Sequence, residues 1–140
     1  MTTSGIDANA ARRARTAGLA DVLHERILVL DGATGTLLQG HGLDEAGFRG
    51  ERFADHPLDL KGAADLLSLT RPDIVRDMHR QYLAAGADIV TTNTFTATRV
   101  SMVDYGLEPW VAEINRESAR LAREACDAAE AVDGVPRYVL

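Results

Sequence analysis

Two polar stretches of this 140-residue chain carry groups able to hold a small molecule: Asp31-Gly32-Ala33-Thr34-Gly35-Thr36 and Thr91-Thr92-Asn93-Thr94-Phe95-Thr96-Ala97-Thr98. In the first, Gly32 and Gly35 permit a tight turn. That turn leaves the N–H groups of Ala33, Thr34 and Gly35 free to receive a phosphate or a carboxylate. Asp31 follows an apolar run and loses solvation there, so it needs a cation or several donors; a substrate ammonium meets that need. An aspartate that caps its own turn is the alternative and, on spacing alone, the commoner reason for an Asp-Gly pair. In the second stretch Thr92, Asn93, Thr94 and Thr96 offer hydrogen-bonding groups and Phe95 an apolar wall. A Ser/Thr/Asn loop that satisfies itself is an equal reading. Gly32-Ala33-Thr34-Gly35-Thr36 lacks both the glycine spacing of a dinucleotide fingerprint and the lysine of a phosphate-binding loop, which disfavours nucleotides.

Other reactive side chains point to structure rather than chemistry. His24, His41, His56 and His79 have no metal-ligand spacing and read as surface histidines. Cys126, the single cysteine, adjoins an apolar helical stripe and reads as a packing residue. Trp110 at a helix start reads as a packing anchor.

Both polar stretches follow apolar runs that must position them. Leu19, Val22 and Leu23 suggest a short helix leading into Ile27-Leu28-Val29-Leu30, which is continuously apolar like a strand buried on both faces of a parallel sheet. Gly40 to Asp65 is a long polar excursion, ordered or functional, anchored by Phe48, Phe53 and Leu58. Thr70 can cap a helix with Pro72 at its second position and Ile74, Val75, Met78, Tyr82 and Leu83 on one face, stopped at Gly86. A β-branched strand spans Ala87 to Thr92, a helix runs from about Pro109 to Ala131, and Arg137 to Leu140 begins another strand. Strands alternating with helices predict an α/β fold of parallel strands, either doubly wound or an eight-fold barrel. In such folds ligands sit beyond the carboxyl ends of the strands, where both polar stretches fall.

Composition narrows the partner. A net charge of −6 argues against nucleic acid and anionic membrane surfaces, and no apolar run is long enough for a membrane span. One cysteine allows no internal disulfide, so a cytoplasmic location is expected, with a small molecule as partner. Residues 1–18 read as a frayed or disordered extension, and 19–140 as the domain.

Three motifs carry a family resemblance. Ile27 to Leu38, reading Ile-Leu-Val-Leu-Asp-Gly-Ala-Thr-Gly-Thr-Leu-Leu, resembles the opening strand and loop of the homocysteine S-methyltransferase barrel. Asp44 to Phe53, followed by Asp59-Leu60-Lys61-Gly62 and Asp65-Leu66-Leu67, resembles the cobalamin-dependent methionine synthase branch. Gly86 to Val90, running into Thr92-Asn93-Thr94-Phe95, resembles the second barrel strand and its loop.

The resemblance implies the N-terminal portion of a (β/α)8 barrel, about three strands and their helices, truncated at its C-terminal end; a whole barrel takes about 250 residues. It implies homocysteine as the substrate bound by Asp31, Gly32, Ala33, Thr34, Thr92, Asn93 and Phe95. Asp31 would face the ammonium, and the amides near Ala33 and Thr34 the carboxylate. It also implies a zinc-bound thiolate methylated from methylcobalamin, with methyltetrahydrofolate and cobalamin held by other modules. The family's zinc ligands are three cysteines on later strands. No position here matches them, so no metal ligand or catalytic residue is expected in this segment, and the chain alone is expected to bind no cofactor and to be inactive. Many relatives carry an acidic residue where Thr91 stands. The alternatives are a fragment of a cobalamin-independent homocysteine methyltransferase, which the Phe48-to-Phe53 segment disfavours, and a non-catalytic binding module from a truncated gene.

Overall fold

The computed structural model describes the backbone of residues 4–140 and the side chains of residue 10 and residues 13–140. Its helices are α1 (Ser4–Glu25), α2 (Thr34–Gly40), α3 (Glu45–Arg49), α4 (Leu67–Thr70), α5 (Pro72–Ala84), α6 (Arg99–Met102) and α7 (Val111–Asp133). Its strands are β1 (Ile89–Val90) and β2 (Tyr138–Val139), so the protein is α/β but mostly helical.

The two long amphipathic helices set the layout. Ile74, Val75, Met78 and Leu83 of α5 and Ile114, Ser118, Leu121, Ala122, Ala125 and Cys126 of α7 fall on single faces and are buried. The helices pack side by side and against the sheet. Leu83, Val90, Ala122, Ala125 and Cys126 form the core at the strands. Leu38, Leu67, Ile74, Val75, Met78 and Leu121 form the next layer. Leu60, Leu66, Met102, Leu107 and Ile114 fill a third beneath the loops. Gly134 ends α7 in the left-handed region at φ 71°, its N–H returning to the Glu130 carbonyl.

The sheet is parallel, as the alternation of elements predicts. Leu30 bridges Ile89, while β1 pairs with β2 with Ile89 opposite Tyr138 and Val90 opposite Val139. Spatial order therefore follows chain order. The expected first strand is reduced to that one bridge, and it is not buried on both faces: Ile27 is 87% exposed, with Val29 and Leu30 also exposed. Its place is fixed instead by Asp88, whose carboxylate accepts from Arg26 at 2.9 and 2.7 Å and from the Val29 N–H at 2.9 Å.

One other expectation, the Thr70 cap, is corrected, and two further segments take on structure. Where a frayed extension was expected over residues 1–18, helix α1 begins at Ser4. The run is alanine-rich, lacks proline and has no apolar face, so helix propensity supplies what packing does not. Arg15, 2.9 Å from Glu130 of α7, ties it down. Pro72 is the first residue of α5, the position that needs no N–H donor; Thr70 does not cap it but turns back to the Leu66 carbonyl. The excursion from Gly40 to Asp65 is ordered. Asp44 caps α3 by accepting from the Gly47 N–H, and the Glu45 carboxylate accepts from the Leu60 and Lys61 N–H groups at 2.8 and 2.7 Å. Arg49 reaches the carbonyls of Phe53, His56 and Leu58. Asp44 to Phe53 thus pins the loop through Gly62, which gives that motif a mechanical reason.

Candidate functional site

Asp31 stands one residue beyond the Leu30–Ile89 bridge, its own N–H donating to the Ile89 carbonyl at 2.9 Å. Parallel pairing brings the end of this run beside the end of β1, so Asp31 meets Thr91. The Thr91 N–H donates to both carboxylate oxygens at 3.0 Å, and its hydroxyl donates to Oδ1 at 2.9 Å. The carboxylate does not cap its own turn. It is 8% exposed, and among the described residues no arginine, lysine or histidine pairs with it. A nearly buried carboxylate held only by one residue's neutral donors keeps capacity for a cation.

The loop after Asp31 is open. Gly32 and Ala33 are exposed and Thr34 half-buried. Ala33 sits in the left-handed region at φ 47°, the one non-glycine residue with positive φ among those described. Such strain persists where surrounding structure imposes it and collects at functional sites. The Ala33 carbonyl accepts from the Thr36 and Leu37 N–H groups, whereas the amides of Gly32, Ala33, Thr34 and Gly35 donate to nothing among the described residues.

The second polar stretch divides. Thr92 lies beside Asp31's partner, donating its N–H to the Leu140 carbonyl, with its hydroxyl 2.7 Å from that of Thr94. Asn93 turns inward. Its amide donates to the Ala64 carbonyl at 2.8 Å and to the Ser68 hydroxyl at 3.3 Å, while the Ser118 hydroxyl, with one proton to give, lies 2.7 Å from that of Ser68 and 3.1 Å from the Asn93 carbonyl. Thr96 donates its N–H and hydroxyl to the buried Asp65 carboxylate. The Asn93 side-chain N–H groups and Thr96 therefore fasten the loop to α4 and the Asp65 turn, and the Asn93 carbonyl meets Ser118 of α7. The Phe95 ring is 99% exposed, so it walls nothing among the described residues.

A cavity of about 340 Å³ borders α2, lined by Gly35, Leu38, Leu43, Phe48 and Lys61 among others. Neither Asp31 nor Thr92 lines it. The candidate site rests on the strand ends, not on this hollow.

Sequence reading misjudged two residues. Thr91 was read as the start of the second polar stretch and as a departure from relatives, yet it is the carboxylate's hydrogen-bond partner. His79 was expected on the surface and is fully buried, with neither ring nitrogen hydrogen-bonded among the described residues. Its place four residues from both Val75 and Leu83, on the stripe of α5, was the available signal.

The residues present do not fit a zinc ion. Among those described, no three His, Cys, Asp or Glu side chains converge. Cys126 is buried with its thiol pushed up to about 11 by desolvation, the reverse of what a thiolate ligand needs.

The chain is similar to the metallated form of the homocysteine methyltransferase MmuM from Escherichia coli, with 25% identity and a TM-score of 0.66 over 86% of this chain and 39% of that one. It is similar to the oxidized form at the same identity and TM-score, over 89% of this chain and 39% of that one. The chain thus spans well under half the length of that protein. Residues 28–140, which hold Asp31, Thr91 and every element from α2 to β2, match the homocysteine S-methyltransferase family, and the chain belongs to that family.

Proposed function

We propose that this chain supplies the amino-acid end of a homocysteine site in a methionine synthase of the cobalamin-dependent kind. One observation carries the reading: Asp31 is a nearly buried carboxylate at adjoining parallel strand ends, held by Thr91 and paired with no cation among the described residues. An α-ammonium supplies both the missing charge and N–H donors to the oxygens. Gly32, Ala33 and Thr34 lie where the substrate carboxylate would follow, and Thr92 beside the ammonium. Asn93 holds the loop, and Phe95 faces outward beyond it.

The methionine synthase branch is favoured by Asp44 to Phe53 and its partner loop Asp59 to Gly62. Glu45 and Arg49 make those two segments one unit. Thiol activation by zinc and methyl supply from methylcobalamin and methyltetrahydrofolate belong, in this reading, to residues and modules other than those described. The chain's own part is to bind and orient, in a (β/α)8 barrel and in the cytoplasm.

The test is a titration of this chain with L-homocysteine followed by amide NMR. Saturable shifts centred on residues 31–34 and 91–92 are expected, in the millimolar range because the sulfur end lacks its anchor. Asp31→Asn should abolish them while changing stability little, since it removes a buried charge and keeps the shape. Parent-like shifts in D31N, or no saturable shift in the parent, would overturn the assignment.

A further inference from the structure

We infer that the hollow bordering α2 is a second ligand site, one that takes an aromatic carboxylate whose charge meets Lys61. It is separate from the amino-acid site at Asp31, and nothing in it depends on that reading.

The walls are fastened by contacts already described. Helix α2 supplies Gly35 and Leu38 to the lining, α3 supplies Phe48, and Lys61 comes from the loop that α3 holds. Glu45 of α3 accepts from the Leu60 and Lys61 N–H groups, so Phe48 and Lys61 stand on one unit. Leu38 and Leu67 of the lining are buried in the second core layer, whereas Leu43, Phe48 and Ala64 pack against that layer and stay half-buried. Apolar surface of a core layer is thus left open to the hollow. Glycine keeps the space clear: a Cβ added at Gly35 or Gly42 meets nothing within 4 Å, and Gly42 sits at φ 60°, where a larger residue is strained. A volume of about 340 Å³ falls in the range of small-molecule sites, about 300–1,000 Å³.

Charge selects the ligand. Lys61 is the only lysine of the chain and the one charged residue of the lining among the described residues. Its acidic neighbours Glu45 and Asp59 both pair with Arg49, and Lys61 forms no ion pair among the described residues. Lys61 is exposed, so its stem can lie along apolar surface while the ammonium stays at the mouth. A cation there without a counter-charge favours an anion, and the Gln39 side chain adds an amide with no hydrogen bond among the described residues. The Phe48 ring and the leucines of the lining suit a flat apolar body. No carboxylate lines the hollow, so an amine of the kind that Asp31 can pair finds no partner in it. The two sites select opposite charges.

The experiment titrates this chain and its K61M and G35L variants with phenylbutyrate and with its uncharged isostere phenylbutanamide, followed by amide NMR and thermal unfolding. Saturable shifts at residues 38–43, 48 and 61–67 are expected, with phenylbutyrate bound about fivefold more tightly than the amide, the scale of an ion pair at a wet mouth. Lys61→Met should erase that preference while leaving the affinity for phenylbutanamide as in the parent. Gly35→Leu puts a side chain into the hollow and suits α2 better than glycine, so it should abolish binding of both probes without lowering the unfolding midpoint. Equal affinity of the parent for the two probes would overturn the anion site and make the hollow an apolar recess of the kind another chain's side chain fills. A preference for the acid that survives in K61M would overturn the role of Lys61. Shifts that never saturate, or binding that persists in folded G35L, would overturn the site itself. Phenylbutyrate shifts centred on residues 31–34 and 91–92 would overturn its separation from Asp31. The K61M comparison decides the matter if G35L fails to fold.

Discussion

Thr91→Val isolates the contact on which the candidate site depends. The substitution keeps the branched shape and the backbone N–H but removes the hydroxyl that donates to Asp31 Oδ1 at 2.9 Å. A hydrogen bond to a charged acceptor contributes roughly 1.5–3 kcal/mol, and the carboxylate is 8% exposed, so little water replaces the lost donor. The added methyl group returns at most about 0.8 kcal/mol of apolar burial, because Thr91 is only half-buried. The expected net loss is about 1–2 kcal/mol. With an unfolding entropy of about 2.1 cal/mol/K per residue, that lowers Tm by about 3–7 °C. Urea and thermal unfolding followed by circular dichroism measure the loss, and a double-mutant cycle with Asp31→Ala assigns it to the pair. A T91V variant within about 0.5 kcal/mol of the parent, or T91V and D31A effects that simply add, would refute the claim that Thr91 holds Asp31.

Two further outcomes follow from buried polar groups away from the site. The Arg26 guanidinium and the Val29 N–H hold the Asp88 carboxyl below the usual carboxylate range. Its contribution is therefore full above about pH 3.9 and is lost as pH falls through the lowered folded value. Urea titrations should show Asp88→Asn less stable at pH 7, with the difference shrinking towards pH 2; a gap constant with pH would contradict the pairing. Asn93→Ala strips the donor from the Ala64 carbonyl and from Ser68 and should cost about 2 kcal/mol in the same assay. Homocysteine-induced shifts at residues 31–34 should survive in the folded protein, and their disappearance would make Asn93 a ligand contact after all.

The parts of this fold written in periodic apolar residues were legible; those that depend on partners distant in sequence were not. The stripes of Ile74 to Leu83 and Ile114 to Cys126 announced α5 and α7, and the apolar runs between them announced parallel strands. The exposure of Ile27 to Leu30 was not readable, because a continuous apolar run says what could be buried, not what lies against it. Asp31 could be singled out from its place after such a run. Its hold by Thr91 required knowing the parallel register, 60 residues away in sequence. Asn93 looked like a binding group because its type permits one, whereas its choice of Ala64 and Ser68 is set by how α4 and α7 meet. His79 was misplaced for a simpler reason: its polarity was given more weight than its phase on the helix.

The shortness of the sheet also bears on the order in which the protein assembles. Its ladder joins Leu30 to Ile89 and Ile89 to Tyr138, closures of about fifty to sixty residues held by very few pairs. Contacts so distant in sequence form slowly, while the turns of α5 and α7 form from neighbours. The two helices therefore dictate strand register, and the Asp31–Thr91 contact is among the last to be made. Weakening it should speed unfolding while leaving the refolding rate almost untouched, the kinetic mark of an interaction absent from the transition state.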